Sequence, residues 1–124
     1  FNILDEYSYG QNSVSAYFLK NYHRHMWKTS LETIEQKTQI IPCLAGKSSV
    51  VVWGNGDVSS CEMLPAVGNM DKQGLRSVLQ SEKFENQIKD IKNKKCHCTH
   101  NCAMLTSILF NPKEWPNLAY RKKV

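Results

Sequence analysis

The spacing of five cysteines constrains this 124-residue chain more than any other feature. Cys43 stands alone. Cys61 follows the turn Gly54-Asn55-Gly56-Asp57. Cys96, Cys98 and Cys102 crowd into the run Lys95-Cys-His-Cys-Thr-His-Asn-Cys102. Two distant cysteines plus a tight group is how a chain closes around a metal or an iron–sulfur cluster, because the soft thiolate ligands must come from separate segments that fold together. An odd number does not suit a closed disulfide set. In a reducing compartment, clustered cysteines bind metal more often than they pair with each other.

The flanking sequence sets the compartment and the size class. The N-terminus, Phe1-Asn2-Ile3-Leu4-Asp5-Glu6, has neither a basic region nor an apolar signal core, so the expected location is the cytoplasm. No apolar run approaches the ~18 residues of a membrane span. The length suits one domain or a piece of a larger chain, and the missing initiator methionine suggests an excised fragment. The net charge of +5 is moderate. Lys89, Lys92, Lys94 and Lys95 precede the cysteine group, and Arg121, Lys122 and Lys123 lie near the C-terminus. These read as solvated faces rather than a nucleic-acid patch. If the cysteines are thiolates, the same lysines would also lower their pKa.

Periodicity organises the rest. Val14, Phe18, Tyr22 and Met26 repeat every four residues, which predicts a helix over 13–27 with Ser13 as N-cap. Leu31, Ile34 and Ile41 continue an apolar stripe, predicting a second helix over 30–40 that Pro42 stops. Residues 48–53 are β-branched and aromatic, hence a strand. The Gly-Asn-Gly-Asp turn supplies positive φ values, and 58–63 returns as a second strand. The hairpin brings Cys61 to the level of residues 48–50 and so near Cys43. Residues 65–70 read as a loop. Asp71 caps a short helix through Leu79, and Ser81 caps another with Phe84, Ile88 and Ile91 on its apolar face. Residues 93–101 are irregular, 103–110 form a last helix, and Asn111-Pro112 and Trp115-Pro116 break the chain into a tail. The fold class is α+β: a small β-hairpin with flanking helices and a cysteine-rich C-terminal loop.

The cysteine trio is Cys-x-Cys-x-x-x-Cys, and seventeen residues separate Cys43 from Cys61. Neither matches the paired Cys-x-x-Cys knuckles of common zinc ribbons, yet spacing leaves iron–sulfur and zinc evenly open. His97 and His100 are either further ligands or neighbours of the thiolates. His23 and His25 are expected at the surface. Trp53, Trp115 and the tyrosines of the first helix are expected in the core or at a domain contact, and Asp57 and Glu62 as turn or strand-end residues. No Ser–His–Asp set, phosphate loop or carboxylate pair marks a catalytic residue.

The segment Ile41-Pro42-Cys43-Leu44-Ala45-Gly46-Lys47, then the strand, then Gly56-Asp57-Val58-Ser59-Ser60-Cys61 resembles the auxiliary-cluster domain of radical SAM enzymes, called SPASM in full form and twitch when shortened. Gly56 and Cys61 match its Gly-x-x-x-x-Cys spacing. Gly68-Asn69-Met70 resembles the step that follows, and the 96–102 run resembles its closing cysteines. Five cysteines are too few for two clusters, so the resemblance implies one [4Fe–4S] cluster. It implies Cys43, Cys61, Cys98 and Cys102 as ligands, with Cys96 in place of Cys98 as the alternative. The SAM-cleaving Cys-x-x-x-Cys-x-x-Cys motif is absent here. The resemblance therefore implies a parent oxidoreductase whose S-adenosylmethionine barrel precedes Phe1 and acts on a peptide or small molecule. It divides the chain into a helical linker (1–41), a cluster domain (42–110) and a tail (111–124). Such a part would serve electron transfer or substrate positioning and catalyse nothing alone. The competing reading is a zinc-stabilised structural or protein-interaction module.

Overall fold

A computed structural model of the protein describes residues 13–119. The terminal basic run Arg121-Lys122-Lys123 lies outside the described residues.

Helix α1 spans Val14–Gln36 as one 23-residue element. Ser13 caps it, its side chain accepting from the Ala16 N–H at 3.1 Å. The expected break near residue 28 does not occur. No glycine or proline interrupts 28–30, and Lys28 lies 3.8 Å from Glu32 across one helical turn. The helix ends four residues earlier than the sequence suggests. Lys37 adopts a left-handed conformation (φ 51°, ψ 40°) and turns the chain out before Pro42 is reached. The buried face also differs from the apolar stripe. Asn21, Tyr22, Thr29 and Thr33 are buried, whereas Val14, Phe18, Leu31 and Ile34 are exposed. The reason is tertiary: Asn21 finds a partner in the Leu118 carbonyl and Thr33 faces a cavity, while Tyr22 and Met26 of the apolar stripe face the core and Val14, Phe18, Leu31 and Ile34 turn outward.

Three short antiparallel strands follow in the order β1 (Val51–Val52), β2 (Asp57–Ser59) and β3 (Gly68–Asn69). The predicted hairpin is present, with Val51 opposite Ser59 and Val52 opposite Val58. Of the turn glycines only Gly56 has positive φ (82°). A Cβ there would also crowd the Asp71 carboxylate, which would have to swing aside, so the positive φ is the main demand for glycine. Asp57 accepts hydrogen bonds from Asn55 and Asn69, which hold its carboxyl below the ordinary carboxylate value. It is the first residue of β2, a strand-end residue as expected. Residues 65–67 are irregular as expected, and strand β3 takes over the end of that loop: two residues pair with β2, too few to leave a periodic signature.

Helix α2 (Met70–Gln73) and helix α3 (Leu75–Leu79) replace the single helix expected after Asp71. Gly74, at φ 79°, separates them, and Asn69 rather than Asp71 caps the first. Helix α4 (Glu82–Lys92) carries the predicted Ser81 cap. Lys94 in a left-handed conformation (φ 57°) then ends it into an irregular segment. Helix α5 (Asn101–Leu109) starts two residues early. The expected tail is helical where described: a short 3-10 turn at Pro112–Glu114 leads into α6 (Trp115–Ala119).

That last helix docks on α1. Asn21 donates to the Leu118 carbonyl at 2.9 Å and Tyr17 to the Ala119 carbonyl at 3.1 Å. His25 meets the Glu114 carboxylate at 2.8 Å, so it is a bridging residue rather than a free surface one. His23 packs beside the ring of Tyr22. Tyr22, Ile41, Ile108 and Leu118 form one buried core with Met26 against it. It draws on all three stretches into which the sequence divides. Ile108 is fully buried, a contribution of about 1.5–3 kcal/mol from burial alone. Trp53 and Trp115 remain exposed.

Candidate metal centre

Four of the five cysteines line one cavity of about 250 Å³: Cys43, Cys61, Cys96 and Cys98. Each comes from a segment held without regular structure, and each segment is pinned by a neighbouring side chain. All five cysteines are free thiols.

Cys43 follows the irregular stretch after α1. Its neighbour Leu44 donates its N–H to the Ser107 hydroxyl of α5 at 3.1 Å, and Gly46 donates to the Ser49 carbonyl at 2.8 Å. Cys61 leaves β2 in a turn closed by the Leu64 N–H on the Cys61 carbonyl. The preceding Ser60 is almost fully buried and gives both its N–H and its hydroxyl to the Gln87 side-chain oxygen, at 3.1 and 2.8 Å. Gln87 in turn donates to the Pro65 carbonyl at 2.7 Å. Helix α4 thereby fixes the chain on both sides of Cys61.

Gln39 ties the first and third cysteine segments together. Its amide nitrogen donates to the Ile91 and Cys96 carbonyls, each at 2.9 Å, and lies 3.9 Å from the Cys96 sulfur. Its oxygen accepts from the Cys43 N–H at 3.1 Å. The residue is buried, so these bonds replace water that cannot reach it. Neither Gln39, Ser107 nor Gln87 stood out in the sequence. Ser107 offered one signal: with Thr106 it interrupts the apolar residues of α5. Gln39 offered none, because the helical pattern appeared to continue through it.

Cys102 sits apart. It is the second residue of α5, exposed, and its sulfur lies in a group with Glu62 and His100 whose ligand atoms are all within 4.8 Å of one another. His97 lies at the cavity and is exposed, while His100 faces Glu62 at 3.5 Å.

Burial pushes the Cys43 thiol above its ordinary 9.0, with the Cys98 and Cys61 thiols adding in the same direction. A backbone N–H from Ala45 and the Ser107 hydroxyl oppose this. Burial likewise raises Cys96, reinforced by Cys43, Cys98 and Cys61. The expectation that lysines would lower these values does not hold for either thiol. Lys89, Lys92, Lys94 and Lys95 are exposed, and Lys95 pairs with Asp90 at 2.7 Å. Raised values favour the protonated thiol in the folded chain. The metal-free, reduced protein should therefore keep this stability below pH 9 and lose it as pH rises through the folded-state values. Melting curves above pH 9 check this: the decline should be shallower in a Cys43→Ser, Cys96→Ser double variant.

The donor set fits a cluster. Four thiols converge from three segments, which is the ligand number of a [4Fe–4S] centre. A cavity of about 250 Å³ offers more room than a lone ion needs.

No curated protein and no solved structure matches the chain. The scan against family models does match, over a segment that begins at Cys43 and ends one residue beyond Cys102. Residues 43–103 match the model of the SPASM family, an iron–sulfur cluster-binding domain.

Proposed function

We propose that this chain carries a single [4Fe–4S] cluster on Cys43, Cys61, Cys96 and Cys98 and is the auxiliary-cluster part of a radical SAM oxidoreductase. The observation that carries the assignment is the convergence of these four thiols on one cavity, with Cys102 turned toward Glu62 and His100. On this reading Cys96 takes the place that the Cys-x-x-x-Cys resemblance gave to Cys102.

A cluster closed by four cysteines supplies a one-electron relay at a potential set by its surroundings. The chain's own residues set those surroundings. Gln39 holds the Cys43 and Cys96 segments in register, and its amide nitrogen lies 3.9 Å from the Cys96 sulfur. Ser107 and the Ala45 N–H hydrogen-bond to Cys43. Hydrogen bonds to sulfur stabilise the more reduced, more negative cluster and raise its potential. Ile41, Ala45, Ile91, Ala103 and Met104 keep much of the cavity wall apolar.

The S-adenosylmethionine barrel of the parent enzyme is the natural partner, and a peptide or small molecule its substrate. In support, Trp27, Leu31 and Ile34 leave an apolar strip exposed on α1. The described residues contain no helix long and apolar enough to cross a membrane, and the reduced thiols suit a cytoplasmic protein.

Anaerobic reconstitution with iron and sulfide tests the reading. The expected product is brown, with about four irons per chain. A colourless protein that keeps one zinc through gel filtration and takes up no iron would establish the zinc-stabilised module instead.

A further inference from the structure

We infer that the Thr33 hydroxyl donates a hydrogen bond to a sulfur of the iron–sulfur cluster, which makes Thr33 a positioning residue that tunes the centre without ligating it. The inference rests on the cluster reading above, and on no particular choice among Cys96, Cys98 and Cys102 as ligands.

Thr33 stands in the last turn of α1. It is 2% exposed, and it lines the same cavity as Gln39, Cys43 and Cys96. A threonine inside a helix ordinarily gives its hydroxyl proton to a carbonyl three or four residues back. Thr106 of α5 does so, donating to the Cys102 and Ala103 carbonyls at 3.2 Å each. Thr33 makes no such bond, and its hydroxyl has no other partner among the described residues. No side-chain oxygen or nitrogen among them is both fully buried and unpaired. The Thr33 hydroxyl therefore keeps an opening, and the space it opens on is the cavity.

The rest of the polar wall is already engaged. Gln39 bonds the Ile91 and Cys96 carbonyls and the Cys43 N–H, while Ser107 accepts from the Leu44 N–H and bonds Cys43. The side chains of Ile41, Ala45, Ile91 and Ala103 offer no acceptor. A buried hydroxyl left without a partner is costly, so what fills the cavity must accept from it. Sulfur, as thiolate or sulfide, is the acceptor that a cluster brings there. A hydroxyl proton directed at sulfur stabilises the more reduced, more negative cluster and so raises its potential.

The test compares Thr33→Ser, which keeps the hydroxyl, with Thr33→Val, which keeps the β-branched shape and loses it. Both are made in the full chain and reconstituted anaerobically. Thr29→Val is the control, since Thr29 is equally buried one turn earlier but does not line the cavity. Iron content shows that each variant has folded and loaded. Thr33→Val should have a lower midpoint potential than the wild type, with Thr33→Ser and Thr29→Val close to it. In heavy water, the reduced cluster of Thr33→Val should also lose an exchangeable-deuteron coupling in electron–nuclear double resonance that the wild type and Thr33→Ser keep. If Thr33→Val loads no iron, Thr33→Ala takes its place in both measurements. Equal potentials and couplings with and without the hydroxyl would overturn the inference and leave the cluster reading standing. A shift of the same size in Thr29→Val would also overturn it. If the wild type itself takes up no iron, the cluster reading fails first and the inference with it.

Discussion

Alanine at Cys43, Cys61, Cys96 or Cys98 should lower the iron content of the reconstituted chain from about four per chain to near zero, whereas Cys102→Ala should leave it unchanged. The four residues share one cavity and Cys102 does not line it. A cluster held by four thiolates on three otherwise irregular segments contributes folding free energy as well as binding, because no preformed site exists in the unfolded chain. Losing one ligand therefore exposes an iron and loosens the segment that the ligand anchored. Iron quantitation and the visible absorption of each variant, prepared in parallel, are the readouts. Iron retained in Cys96→Ala but lost in Cys102→Ala would return the assignment to the Cys98–Cys102 pair that the family resemblance implies.

Replacing Gln39 should give the next largest effect, although it offers no ligand. Gln39→Leu removes the donor to two carbonyls and the acceptor for the Cys43 N–H in a buried place. Each buried polar group left unpaired costs about 1–3 kcal/mol, so the metal-free chain should be destabilised by a few kcal/mol in denaturant titration. In variants that still load iron, the cluster potential should fall, since the positive end of the amide dipole, 3.9 Å from the Cys96 sulfur, is gone. Gln39→Glu sharpens the test. It keeps an acceptor for the Cys43 N–H but loses the donors and adds negative charge, so its potential should fall further. A potential unchanged in both variants would reduce Gln39 to a purely structural brace.

Much of the local structure could be read directly from residue chemistry. Ser13 and Ser81 announced their caps, and Gly54-Asn55-Gly56-Asp57 announced the hairpin that returns Cys61 toward Cys43. These features rest on one or a few adjacent residues, so no distant part of the fold can overrule them. The path between elements was less legible. Lys37 ends α1 before Pro42 by adopting a left-handed conformation, which no lysine signals in advance. Gly74 divides a helix that periodicity joins, and Pro116 lies within α6 rather than in a tail. In each case a backbone conformation supported by tertiary packing prevailed over a weak local preference.

The sequence alone determined that thiols from a hairpin and a later cysteine run could meet, and that their number suits one cluster. Ligand identity and spacing are covalent facts, and the ordered pattern from Cys43 to Cys102 carries the SPASM signature with them. Which four thiols share a cavity was decided only by tertiary structure. Cys96, Cys98 and Cys102 lie within seven residues, and spacing cannot say which way each sulfur points. The start of α5 settles it physically. Residues before the helix follow the irregular wall of the cavity, whereas Cys102, inside the first turn, is turned by the helical backbone toward Glu62 and His100. Gln39 belongs to the same level of organisation. Its role exists only because the end of α1, the end of α4 and the cysteine run meet around one buried amide.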